Sequence, residues 1–246
     1  MKLTVRHLTK SFGTEPVIRD LSFGLADGET LGVLGRSGGG KTTLLKLVAG
    51  LLPPDGGTVH LNGNDITHLP PQNRRVVYLY QEPLLFPHLT VFENVAFGLR
   101  LRGESESSVK RQTLGMLESL GLAGQDRKLP HQLSGGQKQR ASFGRALVIR
   151  PELVLLDEPF GNLDVETRAA MQRLFKELGN AHRISAVFVT HDLKEAMLMG
   201  DRLGYLEAGR LRVFETLRDF VNDPAVGVGP EIAFWQRLTE TGDIRH

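Results

Sequence analysis

Short, nearly continuous apolar runs alternate along this chain with longer stretches in which apolar residues recur at helical spacing. Glu29–Leu34, Leu153–Leu156 and Ala186–Val189 are too short for helices and too uniformly apolar for half-exposed strands, so they read as strands buried on both faces. Arg75–Tyr80 and Leu203–Glu207 add two further strands. Helices are expected at Thr43–Ala49, closed by Gly50, and at Val165–Leu178 and Leu193–Met199. That alternation predicts an α/β fold with a mostly parallel sheet covered on both sides.

Two regions break the pattern. Leu3–Leu8 alternates apolar with polar residues and Pro16–Ala26 looks similarly extended, so an N-terminal antiparallel β-subdomain is expected. Ser11-Phe12-Gly13-Thr14 would be its loop and Asp27-Gly28 a tight turn into the first buried strand. Pro53–Gly57 is a cluster of breakers, and Thr58–Leu61 with Asn62-Gly63 reads as strand and turn. From Glu82 to about Gln132 strand-like runs vanish, and Val109–Leu122 carries Leu114, Leu117 and Leu120–Leu122 near helical spacing. A helical subdomain, about 82–140, is therefore expected as an insertion into a domain spanning 1–215. The remaining 216–246 reads as a short tail, loop-like from Pro224 to Pro230 with one short helix at Glu231–Leu238, and too brief for a further regulatory domain.

The turn after the first buried strand carries chemistry. Gly35-Arg36-Ser37-Gly38-Gly39-Gly40-Lys41-Thr42-Thr43 satisfies G-x-x-x-x-G-K-[ST] and lies between a strand and a helix, the context in which that spacing cradles phosphate. Backbone N–H groups and the positive helix end converge on one anion, and glycine lets the backbone approach it closely. Lys41 is then expected to reach the β- and γ-phosphates and Thr42 to ligate Mg²⁺. The fold class sharpens to a P-loop nucleoside-triphosphatase core.

Composition narrows the partners. The chain has 246 residues, 40% hydrophobic and 24% charged, enough for a substantial core. Its net charge is only +2, with Lys and Arg dispersed, so no nucleic-acid partner is expected. There are no cysteines, which excludes disulfides and thiol catalysis and suits a reducing cytosol. The first residues lack the apolar core of a signal peptide, and no apolar stretch approaches the ~18 residues that span a bilayer. A membrane role would have to come through a partner.

Two more stretches matter. Leu153–Leu156 exits into Asp157-Glu158, placing two carboxylates at the carboxyl edge of a parallel sheet, where ligands bind. Asp157 fits a Mg²⁺-holding carboxylate and Glu158 a group that polarises attacking water, although alone the pair is also compatible with helix capping. Leu133-Ser134-Gly135-Gly136-Gln137 is a Ser-Gly-Gly turn entering an amphipathic helix, a second cradle for an anion.

With these stretches in this order, the sequence resembles, over nearly its whole length, the ATP-binding subunit of ATP-binding cassette (ABC) transporters. In that resemblance Gly35–Thr42 is the Walker A loop, Leu133–Gln137 the signature motif and Leu153–Asp157 the Walker B strand. Glu158 matches the catalytic glutamate, Gly161-Asn162-Leu163-Asp164 the D-loop, and His191 in Thr190-His191-Asp192 the switch histidine. Gln81 matches the Q-loop glutamine that touches Mg²⁺ and water, and Phe12 the aromatic residue that stacks on adenine; alone, Phe12 is also compatible with simple packing and His191 with capping. The family often has Tyr in place of Phe12, and Arg36 and Thr43 fall where relatives vary; no required donor is lost.

The resemblance implies binding and hydrolysis of ATP with Mg²⁺ in a head-to-tail dimer of two copies. Each ATP would lie between one copy's Walker A loop and the other's Ser134–Gln137. Leu85–Val95 looks like importer subunits for sugars, polyamines, iron, sulfate or molybdate, with Phe86 facing the coupling helix of a separate membrane permease. It further implies a peripheral position on the cytoplasmic face of the membrane and an indirect link to an extracytoplasmic solute-binding protein. The chain's length leans towards an inorganic oxyanion. Soluble ABC ATPases of translation or repair usually carry two cassettes or a coiled-coil insertion, and a GTPase would carry Asn-Lys-x-Asp; neither feature is seen.

Overall fold

Uniform apolar runs and alternating ones sort into two different sheets. In the computed structural model, which describes residues 1–161, 163–230 and 232, the elements are β1 (Leu3–Phe12), β2 (Glu15–Leu25), β3 (Thr30–Gly35), α1 (Lys41–Ala49), β4 (Gly56–Leu61), β5 (Asn64–Asp65), β6 (Val76–Leu79), α2 (Val91–Leu101), α3 (Glu106–Ser119), α4 (Gly135–Leu147), β7 (Leu153–Asp157), α5 (Val165–His182), β8 (Ala186–Thr190), α6 (Leu193–Met199), β9 (Arg202–Glu207), β10 (Arg210–Phe214) and α7 (Leu217–Asn222). Among the described residues, one sheet runs β2-β1-β4-β5 and is antiparallel. The other runs β10-β9-β3-β8-β7-β6 and is parallel except for β10.

Period-two geometry explains why the central strands are apolar throughout. Successive side chains point to opposite faces, so Leu153 and Leu155 of β7 enter one core while Val154 and Leu156 enter another. The first core joins α1, through Leu44, Leu45, Leu47 and Val48, to the inner face of the antiparallel sheet at Leu3, Val5, Ile18 and Leu25. The second receives α2, α3, α4 and α5, through residues such as Val95, Leu117, Phe143 and Phe175. The helical insertion thus leaves the parallel sheet after β6 and returns to it at β7.

Side-chain caps start the inserted helices. Thr90 caps α2 in a capping box with Glu93, and Ser105 accepts from Ser108 N–H at the head of α3. Buried Asn94 of α2 accepts from Phe86 N–H (2.8 Å) and donates to Leu89 O (2.9 Å), which pins the loop carrying Phe86 to the helix.

The far end of α1 is closed by Arg74. This buried guanidinium donates to Leu47 O and Val48 O (both 3.0 Å), Thr67 O (2.7 Å) and Leu69 O (2.8 Å). It places a cation at the negative end of the helix that follows the phosphate loop. Arg74→Met should destabilise the protein by about 3 kcal/mol or more, because several buried carbonyls lose their donor at once. Urea unfolding checks this, and a change under about 1 kcal/mol would contradict it.

Several boundaries differ from expectation. The 11–14 loop shrinks to a turn at Gly13-Thr14, because hairpin pairing continues to Phe12 opposite Glu15 and leaves Phe12 at a strand end. The first helix begins at Lys41 rather than Thr43. Two late elements are unexpected: β10, within the 1–215 domain, and α7, in the tail. Phe214 and Phe220 meet edge to face, with centroids 5.2 Å apart, and bury with Leu34, Leu193 and Leu203. Residues 224–228 are turn and loop, but Gly229 and Pro230 are helical. The expected helix Glu231–Leu238 lies, apart from Ile232, outside the described residues. Among those described, no helix is long and apolar enough to cross a membrane.

Candidate functional site

The phosphate loop leaves β3 at Gly35 and enters α1 at Lys41, and two of its glycines are structural necessities. A methyl on Gly35 would sit 2.5 Å from Leu206 O of the adjacent β9. Gly40, at the cap of α1, has φ 95°, a conformation that favours glycine, and no side chain caps the helix there. The first N–H groups of α1 therefore remain for an anion. Lys41 is only 6% exposed, and its ammonium donates back to Gly35 O (2.7 Å) and Arg36 O (3.1 Å), spanning the loop. Burial lowers its pKa, with Glu158 and Asp157 nearby pulling the other way.

Asp157 and Glu158 emerge at the carboxyl end of β7. Thr42 Oγ1 donates to Asp157 Oδ1 (3.0 Å), and the Tyr78 hydroxyl donates to Asp157 Oδ2 (2.7 Å). Burial, then Asp157 itself, push the Tyr78 phenol well above the ordinary tyrosine range, so it stays a donor. Glu158 takes φ 46°, in the left-handed region, as the chain turns out of the strand; its N–H donates to Val189 O of β8 (3.0 Å). His191 Nδ1 lies 3.0 Å from Glu158 Oε2. A carboxylate can only accept, so Nδ1 carries the proton in this pairing. The turn presenting His191 is held from beneath: Thr190 donates to the buried Glu195 carboxylate and accepts from Asp192 N–H (3.1 Å).

Phe12, Ser37, Gly38, Gly40, Lys41, Thr42, Thr43 and Glu158 line one cleft of about 340 Å³, to which Val17 also contributes. Phe12 is half exposed there, with Lys10 Nζ 5.8 Å from its ring centroid. Gln81 is aimed at the neighbouring turn: a methyl on Gly161 would sit 3.3 Å from Gln81 Nε2 and 3.9 Å from Glu158 Oε2. The structure thus gathers the phosphate loop, both carboxylates, Gln81 and His191 at one edge of the parallel sheet.

It does not bring the second cradle to that cleft. Ser134, Gly135, Gly136 and Gln137 are absent from its lining. Ser134 caps α4, accepting from Gln137 N–H (3.3 Å), while Gln137 Oε1 accepts from Ser134 N–H (3.0 Å). A methyl on Gly135 would meet nothing within 4 Å, whereas one on Gly136 would sit 2.7 Å from Thr167 Cγ2. Asp164 caps α5 by accepting from Thr167 N–H (2.9 Å), a bond that holds its carboxyl below the usual range. Asn162, two residues before it, lies outside the described residues. Sequence reasoning missed Val17, Tyr78 and Glu195. Only Tyr78 left a signal, a hydroxyl within the otherwise apolar strand β6 that leads to Gln81.

Comparison with known proteins decides what this arrangement belongs to. The ABC transporter profile matches residues 18–161, from β2 through the phosphate loop, signature turn and acidic strand end. The chain belongs to the ABC transporter family. Within that family it is 43% identical over 222 residues to the molybdate/tungstate import ATP-binding protein of Pyrococcus horikoshii, covering 90% of this chain and 64% of that protein. The Thermococcus kodakarensis protein of the same description is also 43% identical, over 229 residues, covering 92% of this chain and 68% of the relative. The sulfate/thiosulfate import ATP-binding protein of Methylococcus capsulatus is 40% identical over 229 residues, covering 92% and 66%. The chain spans about two thirds of the length of these relatives.

Proposed function

We propose that the chain is the ATP-binding and ATP-hydrolysing subunit of an importer, driving uptake of an inorganic oxyanion through a separate membrane permease. The observation that carries the ATPase reading is the convergence of Lys41, Thr42 and Glu158 on one cleft, with Asp157 hydrogen-bonded to Thr42. The oxyanion class rests on the molybdate/tungstate and sulfate/thiosulfate importers that the chain resembles.

In this reading Phe12 offers its ring face to adenine, which requires only the π-surface. Residues 35–43 wrap the phosphates with backbone N–H groups, and Lys41 exchanges Gly35 O and Arg36 O for phosphate oxygens. Thr42 and Asp157 supply hard oxygen donors 3.0 Å apart, with Gln81 close by, a set that suits Mg²⁺ shared with phosphates. Bound Mg²⁺ would neutralise charge developing on the β- and γ-phosphates. Glu158 orients the attacking water and takes its proton, while His191, tied to Glu158, holds the carboxylate in place and reaches towards the γ-phosphate.

The signature turn does not line its own cleft, and in this reading Ser134, Gly135, Gly136 and Gln137 serve the γ-phosphate of a second copy, with Asp164 at the dimer seam. The permease would dock where the insertion exposes apolar surface. Phe86 and Phe97 meet at a tilt with centroids 4.8 Å apart, Arg145 lies over the Phe86 ring, and Leu84 and Leu101 stand exposed nearby in sequence. In this reading the subunit sits peripherally on the cytoplasmic face of the membrane, linked only through the permease to an extracytoplasmic solute-binding protein.

Lys41→Ala should weaken binding of a fluorescent ATP analogue in Mg²⁺ by at least about tenfold, having lost the charge that meets the phosphates. Equilibrium titration reads this directly, and undiminished affinity would refute the assignment.

A further inference from the structure

We propose that Tyr78 is a positioning residue of the Mg²⁺ centre, its hydroxyl fixing the Asp157 carboxylate in the orientation that the metal uses. The inference rests on the reading of the cleft as a Mg²⁺–ATP site.

Asp157 ends β7, and a side chain at a strand end turns freely unless something holds it. Here both of its oxygens are held from different elements: Oδ1 by Thr42 of α1 (3.0 Å) and Oδ2 by Tyr78 of β6 (2.7 Å). The two donors differ in what binding asks of them. Thr42 is itself a ligand in the proposed site, so its hydroxyl must turn from Asp157 to the metal. Tyr78 has no second duty. Its ring packs against the core beneath α1 and lies 4.6 Å from that of Tyr80. A rigid aromatic with a fixed hydroxyl is suited to orienting a ligating carboxylate, the usual task of a group hydrogen-bonded behind a metal ligand. β6 is paired in register with β7, Tyr78 opposite Leu155. The hydroxyl therefore reaches from the strand that leads to Gln81 and fastens Asp157 to it, so two of the proposed metal-contacting side chains share one support.

The test is Tyr78→Phe in the full chain, which keeps the ring and removes only the hydroxyl. Mn²⁺ serves as the probe, titrated by electron paramagnetic resonance with saturating adenosine 5′-(β,γ-imido)triphosphate. Mn²⁺ affinity should fall about tenfold, the lower end of the span for losing a partner of a metal ligand. Nucleotide affinity in EDTA should not change. Raising Mg²⁺ should restore phosphate release, an increased KM for the metal with kcat largely retained. Tyr80→Phe, at the neighbouring, more exposed ring, should match wild type. Unaltered Mn²⁺ affinity in Tyr78→Phe, beside a normal wild-type signal, would overturn the role of Tyr78 alone. An equal loss of nucleotide affinity in EDTA would overturn it too, because the hydroxyl would then support the cleft and not the metal. Absence of any nucleotide-dependent Mn²⁺ signal in the wild type would instead refute the metal-centre reading and remove the inference with it.

Discussion

Replacing Glu158 by Gln should lower phosphate release by about 10²–10⁴-fold, the span for losing one general base, while nucleotide binding survives. Glutamine keeps the size and much of the hydrogen bonding of glutamate but cannot take a proton from water. In the proposed site, binding depends on the phosphate loop, Lys41, Thr42 and Asp157, none of which the substitution replaces. The left-handed backbone at Glu158 and its N–H bond to Val189 are retained, so the turn that presents residue 158 keeps its shape. His191 changes partner from a carboxylate to an amide oxygen, which still accepts from Nδ1. A malachite-green assay beside an equilibrium titration separates the two effects. Wild-type turnover in the variant would dismiss Glu158 as the catalyst.

Ser134→Arg should reduce phosphate release by at least about 10²-fold, a loss typical of removing a preorganised donor to a reacting anion. Nothing in the chain's own cleft explains such an effect, since Ser134 is not among its lining residues. The bulky cation would break the capping box with Gln137 and block the glycine turn at the head of α4. If the turn serves a second copy, complementation follows. Mixing Ser134→Arg with Lys41→Ala subunits concentrates both defects in one composite site and leaves the other intact. Some turnover should return although each variant alone is inactive. No recovery, with mixed dimers demonstrated, would contradict sites shared between chains.

The parts of the fold legible in the sequence were those governed by one local rule. β3, β7 and β8 are buried on both faces, so an unbroken apolar run is their only stable pattern, and the phosphate loop is a contiguous stretch whose spacing is its geometry. α7 escaped because Phe220 buries in a cluster with Leu34, far away in the chain. β10 is a local hairpin partner of β9 across Ala208-Gly209, Phe214 opposite Leu203, but its alternation of Arg and apolar residues is too short to stand out by itself. Of the site, Lys41, Thr42, Asp157 and Glu158 follow from chain order, whereas Tyr78 and Glu195 act through side chains meeting across the fold. Arg74 is the clearest such case: it looks like one more surface charge in the sequence, yet it is buried and bonded to carbonyls drawn from α1 and the segment after β5.

The most direct test of the two-copy ATP site is the mass of the Glu158→Gln protein in solution, measured by size-exclusion chromatography with light scattering in ATP and Mg²⁺. Slowed hydrolysis should trap nucleotide between two phosphate loops and two signature turns. The mass should therefore move from that of one 27.2 kDa chain towards twice that value, and return when ADP replaces ATP. A protein that binds ATP to saturation yet keeps the mass of a single chain would contradict the shared site.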